Sequence, residues 1–163
     1  MIQLIVKVNP RAKCEEVVFN KINETFGKPF MSQLEQLSDF FLILDFTPEN
    51  VEKVTSIQDF DGILDIQLYP TNVVVSNLEK ASEGEDYYII YVQTECGKRE
   101  ETMKSLIASD KFKIRNAGYF FGSEADIIIE VLSAESITNV IDAIRSIESV
   151  EDTVFYTLPH TYN

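Results

Sequence analysis

The stretch that constrains the fold most is residues 119–157, where the spacing of the apolar residues changes twice. Residues 125–132 are rich in β-branched side chains, which is typical of a buried or half-buried strand. Ser133 is a candidate N-cap, and apolar residues then recur at helical spacing as far as residue 147. Residues 153–157 return to a strand pattern. A strand, an amphipathic helix and a strand in this order predict half of a split β-α-β unit.

The same order of strands and helices is present in the first half of the chain. Residues 41–70 match residues 126–159 in residue type after a shift of roughly 85 positions, and Asp45 then aligns with Glu130. The repeat predicts an α+β fold of tandem ferredoxin-like (βαββαβ)2 modules, with the packing of dimeric α+β barrels. The predicted domains are a first module at residues 1–70, a polar and acidic linker at residues 71–86, and a second module at residues 87–163.

The elements of the first module follow from the same criteria. Thr47 is the expected N-cap of its second helix, because Pro48 fits the first helical position. Within the linker, residues 73–75 are a candidate extra edge strand. The other predicted elements are strands at residues 2–8, 30–37, 40–46 and 63–69 and a helix at residues 11–26.

A sheet with both helices on one face leaves its second face open. An apolar second face must be covered, because a large exposed apolar patch is sticky. We therefore expect the two sheets to pack against each other within the chain, or against a second copy. The residues assigned to this second face are Leu4, Val6, Leu42, Leu44, Ile90, Val92, Ile128 and Phe155.

The charge balance argues against duplex nucleic acid as a direct partner. The net charge is −13, and both halves are acidic: residues 1–80 carry 7 basic and 12 acidic side chains, and residues 81–163 carry 7 and 15. Proteins that bind duplexes gain most of their affinity from clustered Lys and Arg. Lys111, Lys113 and Arg115 alternate along a predicted strand. We interpret them as a solvated strand face, with an anion or RNA contact as the alternative.

Residues 86–157 resemble the effector-binding (RAM) domain of the leucine-responsive regulator (Lrp/AsnC) family. That family has a first strand, a "T-x-x-G-x-E-x-x-V" start of a helix, a "G-x-Y-D" loop, and a closing "V-x-x-T" strand. Thr94, Gly97, Asp126 and Thr153 fall in the matching places, and Glu100 lies one residue after the place of the family's glutamate. The loop of residues 122–126 departs from the family pattern by an extra residue or a replaced glycine, and alanine replaces the usual aromatic residue.

The resemblance implies a small-molecule site around this loop. Glu124 or Asp126 would pair with the α-ammonium group of an amino acid, and a nest of backbone N–H groups would receive its carboxylate. The alternative is that Asp126 accepts backbone N–H bonds and only holds the turn. The candidate ligand-binding residues are Gly122, Ser123, Glu124, Asp126, Thr94 and Thr153.

Little in the sequence points to catalysis. His160 is the single histidine, and no nucleophile elbow, P-loop or dinucleotide fingerprint is present. We therefore expect no catalytic residue, no metal site and no cofactor. Cys14 and Cys96 do not form a disulfide framework, and no segment has the length of a membrane span or the pattern of a signal peptide. These features predict a cytoplasmic protein.

Two functions remain open at this point. The first is a stand-alone effector-binding module for transcription regulation, which senses a small molecule such as an amino acid. It would lack a DNA-binding domain of its own and act through protein–protein assembly. Its partners would be a second copy of the chain or a regulator of the Lrp/AsnC kind. The alternative is a small enzyme of the dimeric α+β-barrel type, with a cavity between its sheets.

Overall fold

The computed structural model describes residues 1–33, 39–77, 81–121, 125–158 and 160–162. The chain divides into two compact units. The first comprises residues 2–71 and 158–163, and the second comprises Met1 and residues 72–157. No helix in the described parts of the chain is both long enough and apolar enough to cross a membrane.

The order strand, helix, strand, strand, helix, strand occurs twice, as the repeat predicts. The first set is β1 (Ile2–Pro10), α1 (Glu15–Phe26), β2 (Phe30–Gln33), β3 (Phe40–Asp45), α2 (Pro48–Gln58) and β4 (Ile63–Ser76). The second set is β5 (Asp86–Thr94), α3 (Arg99–Ile107), β6 (Lys113–Phe120), β7 (Ile127–Ser133), α4 (Ile137–Arg145) and β8 (Val150–Leu158), and β9 (His160–Tyr162) follows it.

In the first unit the strand order is β4-β1-β3-β2-β9, with antiparallel pairing of β3 to both β1 and β2. One face of this sheet packs against α1 and α2 through a core that includes Val6, Ile22, Leu42 and Val54. The opposite face, which we call the second face, is also buried at positions such as Phe41.

In the second unit the order is β8-β5-β7-β6-β4, and β7 pairs antiparallel with β5 and β6. Its helix-side core includes Ile90, Ile129 and Ile144. Every residue of β7 is buried, so this strand has no solvated face. A central strand with helices on one side and a buried second face accounts for its continuous apolar sequence.

Most of the residues predicted for the second face lie on the other side of their sheets. Ile128 does lie on the second face, since it is out of phase with Ile127 and Ile129 of the helix-side core. Phe155 is exposed. Successive side chains of a strand point to opposite faces of the sheet. When a strand is apolar on both faces, its sequence does not show which alternate set of side chains faces the helices. The six residues that pack on the helix side instead are Leu4, Val6, Leu42, Leu44, Ile90 and Val92.

Several boundaries also differ from the predicted ones. Helix α1 begins at Glu15 and not at residue 11, because Lys13 has a left-handed backbone (φ 67°) that cannot lie inside a right-handed α-helix. Helix α4 is capped by Ser136, whose hydroxyl accepts from the Asn139 amide at 3.3 Å. Residues 71–76, predicted as the start of the linker, continue β4.

Candidate functional site

Two of the predicted site residues, Thr94 and Asp126, are brought together. The Asp126 carboxylate oxygen Oδ2 accepts from the Thr94 amide at 2.8 Å and from the Thr94 hydroxyl at 3.2 Å. The Asp126 amide donates to the Val92 carbonyl at 3.1 Å, and its carbonyl accepts from the Phe120 amide at 3.1 Å. Asp126 therefore ties the end of β5 and the end of β6 to the start of β7.

This arrangement uses one carboxylate oxygen and leaves the other open. Both hydrogen bonds to the carboxylate go to Oδ2, and no described residue donates to Oδ1. Thr94 is buried, and Asp126 is half-buried. A carboxylate held in place by its neighbours, with one free oxygen, has the chemistry to accept hydrogen bonds from an ammonium group.

Thr153 does not join this pair. Its hydroxyl accepts from Arg145 Nε at 2.9 Å, and its amide donates to Asp152 Oδ1 at 2.8 Å. The Glu95 amide, next to Thr94, donates to the Ser149 carbonyl. Thr153 is four residues after Ser149, which corresponds to about 13 Å along a strand. It therefore lies away from Thr94. The remaining predicted site residues, Gly122, Ser123 and Glu124, lie outside the described part of the chain, so their role stays a prediction.

Arg99 and Tyr119 belong to elements that adjoin the Thr94–Asp126 pair, and they form a cation–π contact that no sequence pattern indicates. Arg99 is the first residue of α3, and its guanidinium carbon is 5.0 Å from the centre of the Tyr119 ring. Tyr119 is opposite Ile127 in the β6–β7 ladder, and Ile127 directly follows Asp126 in the sequence. Burial, and secondarily the charge of Glu100, raises the pKa of Tyr119 above 10.0. Arg99 and Tyr119 are 20 residues apart in the sequence, so no local pattern revealed the contact.

A second charged cluster lies on the second face of the same unit. Arg115 Nη2 is 2.7 Å from Glu130 Oε1, and the two side chains are 0% and 5% exposed. The guanidinium carbon also lies 4.4 Å from the centre of the Tyr87 ring. The interpretation of Arg115 as part of a solvated stripe with Lys111 and Lys113 is therefore wrong.

A β-bulge produces this placement. In the β6–β7 ladder Ile114 pairs with Val131 and Asn116 pairs with Glu130, which leaves Arg115 as the extra residue. Two residues of the bulged strand thus oppose one on its partner, and the extra side chain is re-aimed. Burial raises the pKa of Glu130 above its ordinary value of 4.5, although the Arg115 charge opposes the rise. The sequence did contain a sign of this pair, because an acid inside the buried run of residues 127–133 requires a counter-charge.

The first unit has its own ion pair on its second face. Lys7 Nζ is 3.3 Å from Asp39 Oδ2, with the two side chains 15% and 3% exposed. Burial raises the pKa of Asp39 above 3.8, because it outweighs the attraction of Lys7, and the charge of Asp65 raises that pKa further. In the described residues, no group of three or more His, Cys, Asp and Glu side chains is placed to hold a metal ion.

No protein-family model matches this sequence, and no significant match to a curated protein was found. Solved structures do match over nearly the whole chain. The siroheme decarboxylase NirDL has a TM-score of 0.75 at 8% identity, covering 98% of this chain and 71% of its own. A putative monooxygenase from Lactobacillus acidophilus has a TM-score of 0.56 at 8% identity, covering 96% and 92%. Its counterpart from Fusobacterium nucleatum has 0.58 at 9% identity, covering 99% and 92%. These likenesses concern the fold alone, and the chain has the α+β fold of ferredoxin-like, dimeric α+β-barrel proteins.

Proposed function

We propose that this protein is a regulatory module that binds a small molecule carrying an ammonium group, such as an amino acid, at Asp126. The observation that carries the proposal is the half-buried Asp126 carboxylate, whose Oδ2 is held by Thr94 while Oδ1 is open. The resemblance of residues 86–157 to the effector-binding domain of the Lrp/AsnC family supports the same location.

Preorganisation gives this carboxylate its value as a binding group. The two hydrogen bonds from Thr94 fix Oδ2 before any ligand arrives, so little side-chain freedom is lost on binding. A hydrogen bond to a charged group contributes about 1.5–3 kcal/mol. A ligand bound at Asp126 would stiffen the end of β5, the end of β6 and the start of β7. We propose that this change alters how the protein assembles with another protein chain.

The test is a ligand screen combined with a conservative substitution. Thermal unfolding in the presence of each of the twenty amino acids identifies binders, because a ligand at 100 times its Kd stabilises the native state by about 2.7 kcal/mol. Calorimetry then compares Asp126→Asn with the parent. The asparagine oxygen still accepts from Thr94, while its amide group presents a donor where Oδ1 was. We expect a loss of affinity of roughly 10-fold or more at an unchanged melting temperature.

Asp152→Asn is the matched control. Asp152 also accepts from a backbone amide, that of Thr153, at 2.8 Å, and the change removes the same charge from the same unit. It should leave binding unchanged. Absence of any binder in the screen, or equal affinity of Asp126→Asn and the parent, contradicts the proposal. Size-exclusion chromatography with light scattering, with and without ligand, examines the assembly step.

The second candidate function is an enzyme of the dimeric α+β-barrel type, which the buried Arg115–Glu130 pair favours. Buried charges with a perturbed pKa are frequent at catalytic sites. NirDL, a structural neighbour, is a siroheme decarboxylase, and a further structure of it holds an iron-uroporphyrin III analogue. Absorbance titration with an iron porphyrin separates the candidates: a saturable spectral change that is lost in Glu130→Gln would favour the enzyme.

A further inference from the structure

We infer that Arg99 receives the carboxylate of the ligand, so that Asp126 and Arg99 together select a zwitterion. The inference rests on the proposed function, because it assigns a second recognition group to the same site. It replaces the backbone nest, which the family resemblance implies for the carboxylate, with a named side chain.

The chain topology places Arg99 at the site. Strand β5 ends at Thr94, which binds Asp126, and α3 begins at Arg99. The connecting turn is closed by the Lys98 amide, which donates to the Glu95 carbonyl at 3.0 Å, so the start of α3 stays beside the end of β5.

The contact with Tyr119 requires the Arg99 side chain to extend over the start of β7. The strand order is β5-β7-β6, so β7 lies between the strand that α3 follows and the strand that holds Tyr119. Tyr119 is opposite Ile127, and paired Cα atoms in an antiparallel ladder are about 4.5–5.5 Å apart. A side chain that leaves the start of α3 and ends 5.0 Å from the Tyr119 ring therefore spans the start of β7, where Asp126 lies.

The charge of Arg99 is available to an anion. Arg99 is exposed, and within the described residues no carboxylate forms an ion pair with it. The acid two residues along, Glu101, is already paired with Lys98 at 3.0 Å. The Tyr119 ring occupies the face of the guanidinium, which leaves the N–H groups at its edge to bind a carboxylate through two parallel hydrogen bonds. In a chain with a net charge of −13, an exposed cation with no carboxylate partner among the described residues is well placed to set ligand selectivity.

The experiment uses three series of probes on the full chain: the twenty L-amino acids, their α-carboxamides, and their N-acetyl derivatives. The amides lack the negative charge, and the N-acetyl forms lack the positive charge. For the parent protein we expect the amino acid to bind roughly 10-fold or more tightly than either derivative, which is the value of one charged hydrogen-bonded contact.

Arg99→Gln should reduce the preference for acid over amide to about 1, while the preference for the free amine over the N-acetyl form persists. Asp126→Asn should show the reverse. Lys104→Gln, which removes an exposed positive charge from the same helix, is the control and should keep both preferences. Arg99→Lys should recover part of the acid preference, because it restores the charge without the planar fork.

Each outcome separates the inference from the proposed function. If the amino acid binds and Arg99→Gln keeps the parent's acid preference, Arg99 only covers Tyr119, and the inference is overturned while ligand binding stands. If the parent binds none of the three series, the proposed function fails, and the inference fails with it. Melting temperatures of all variants within about 2 °C of the parent would show that binding and not folding changed.

Discussion

Among the described residues, each unit has an ion pair on the sheet face away from the helices, and the two pairs differ in depth. In the second unit Arg115 and Glu130 are 2.7 Å apart and almost wholly removed from solvent. In the first unit Lys7 and Asp39 are 3.3 Å apart, and 15% of the Lys7 side chain remains exposed. The same repeat has thus accommodated a buried acid in two ways.

The difference follows from the chemistry of the two cations. The ammonium group of lysine is compact and strongly hydrated, so its long stem carries the charge toward water. The guanidinium group is planar and more weakly hydrated, and at Arg115 it stacks on Tyr87 while it faces Glu130. Burial nevertheless raises the pKa of both acids, so in both units the desolvation of the acid outweighs the attraction of its cation.

The largest expected effect comes from removing the deeper cation. Arg115→Met leaves the Glu130 carboxylate buried without its counter-charge, and loss of one partner of a buried pair costs about 3–5 kcal/mol. Lys7→Met should cost less, because water still reaches the Lys7 side of its pair. Urea unfolding of both variants gives the free energies of unfolding.

The double variant Arg115→Met/Glu130→Leu sharpens the result. Apolar replacements for both members of a buried pair are often neutral or stabilising by about 1–4 kcal/mol, so the double variant should recover most of the loss. Equal costs for Arg115→Met and Lys7→Met, or a double variant as unstable as the single one, would show that depth of burial does not distinguish the pairs.

The contrast between the two pairs also shows what a sequence can and cannot provide. The repeat, the element order and the Thr47 cap are readable because they depend on local spacing, and the Thr47 hydroxyl does accept from the Asn50 amide at 3.2 Å. The inward placement of Arg115 depends on a single extra residue in β6, which no periodicity reveals. Strands apolar on both faces likewise concealed which residues face the helices.

The candidate site could be predicted from the sequence to a similar degree. The resemblance of residues 86–157 placed Thr94 and Asp126 in one site, and the structure joins them. It also placed Thr153 there, although Thr153 is bonded to Arg145 further along β8. A motif gives positions in sequence, whereas the stacking of Arg99 on Tyr119 depends on where a helix lies over a sheet. Contacts of that kind require the fold.

A smaller effect is expected from pH. The folded state holds the protons of Glu130 and Asp39 more tightly than the unfolded state, because both pKa values are raised above 4.5 and 3.8. The stability these groups contribute is therefore complete only below the ordinary pKa of each group, and it is lost as the pH rises through each folded-state pKa. A tenfold tighter hold on one proton corresponds to about 1.4 kcal/mol of stability.

Urea midpoints measured across the pH range test this sign. The glutamine side chain of Glu130→Gln does not titrate. The stability of this variant should therefore fall less with rising pH than that of the parent, by the amount that the ionisation of Glu130 causes. Asp39→Asn should remove the part that belongs to Asp39, over a window that begins at lower pH, since its ordinary pKa is 3.8 and not 4.5. Curves for the parent and Glu130→Gln that stay parallel would show that the Glu130 pKa is not raised.

The smallest expected effect comes from exchanging the cations while keeping their charge. Arg115→Lys removes the stack on Tyr87 and the planar fork facing Glu130, and an ammonium group needs hydration that this site lacks, so we expect a loss of about 1–2 kcal/mol. Lys7→Arg keeps the charge beside Asp39 at a position that water already reaches, so the change should stay within about 0.5 kcal/mol. Urea unfolding of the two variants under one set of conditions measures both. Equal losses would mean that the pairs require only a positive charge, and that the bulge and the Tyr87 ring add nothing specific to arginine.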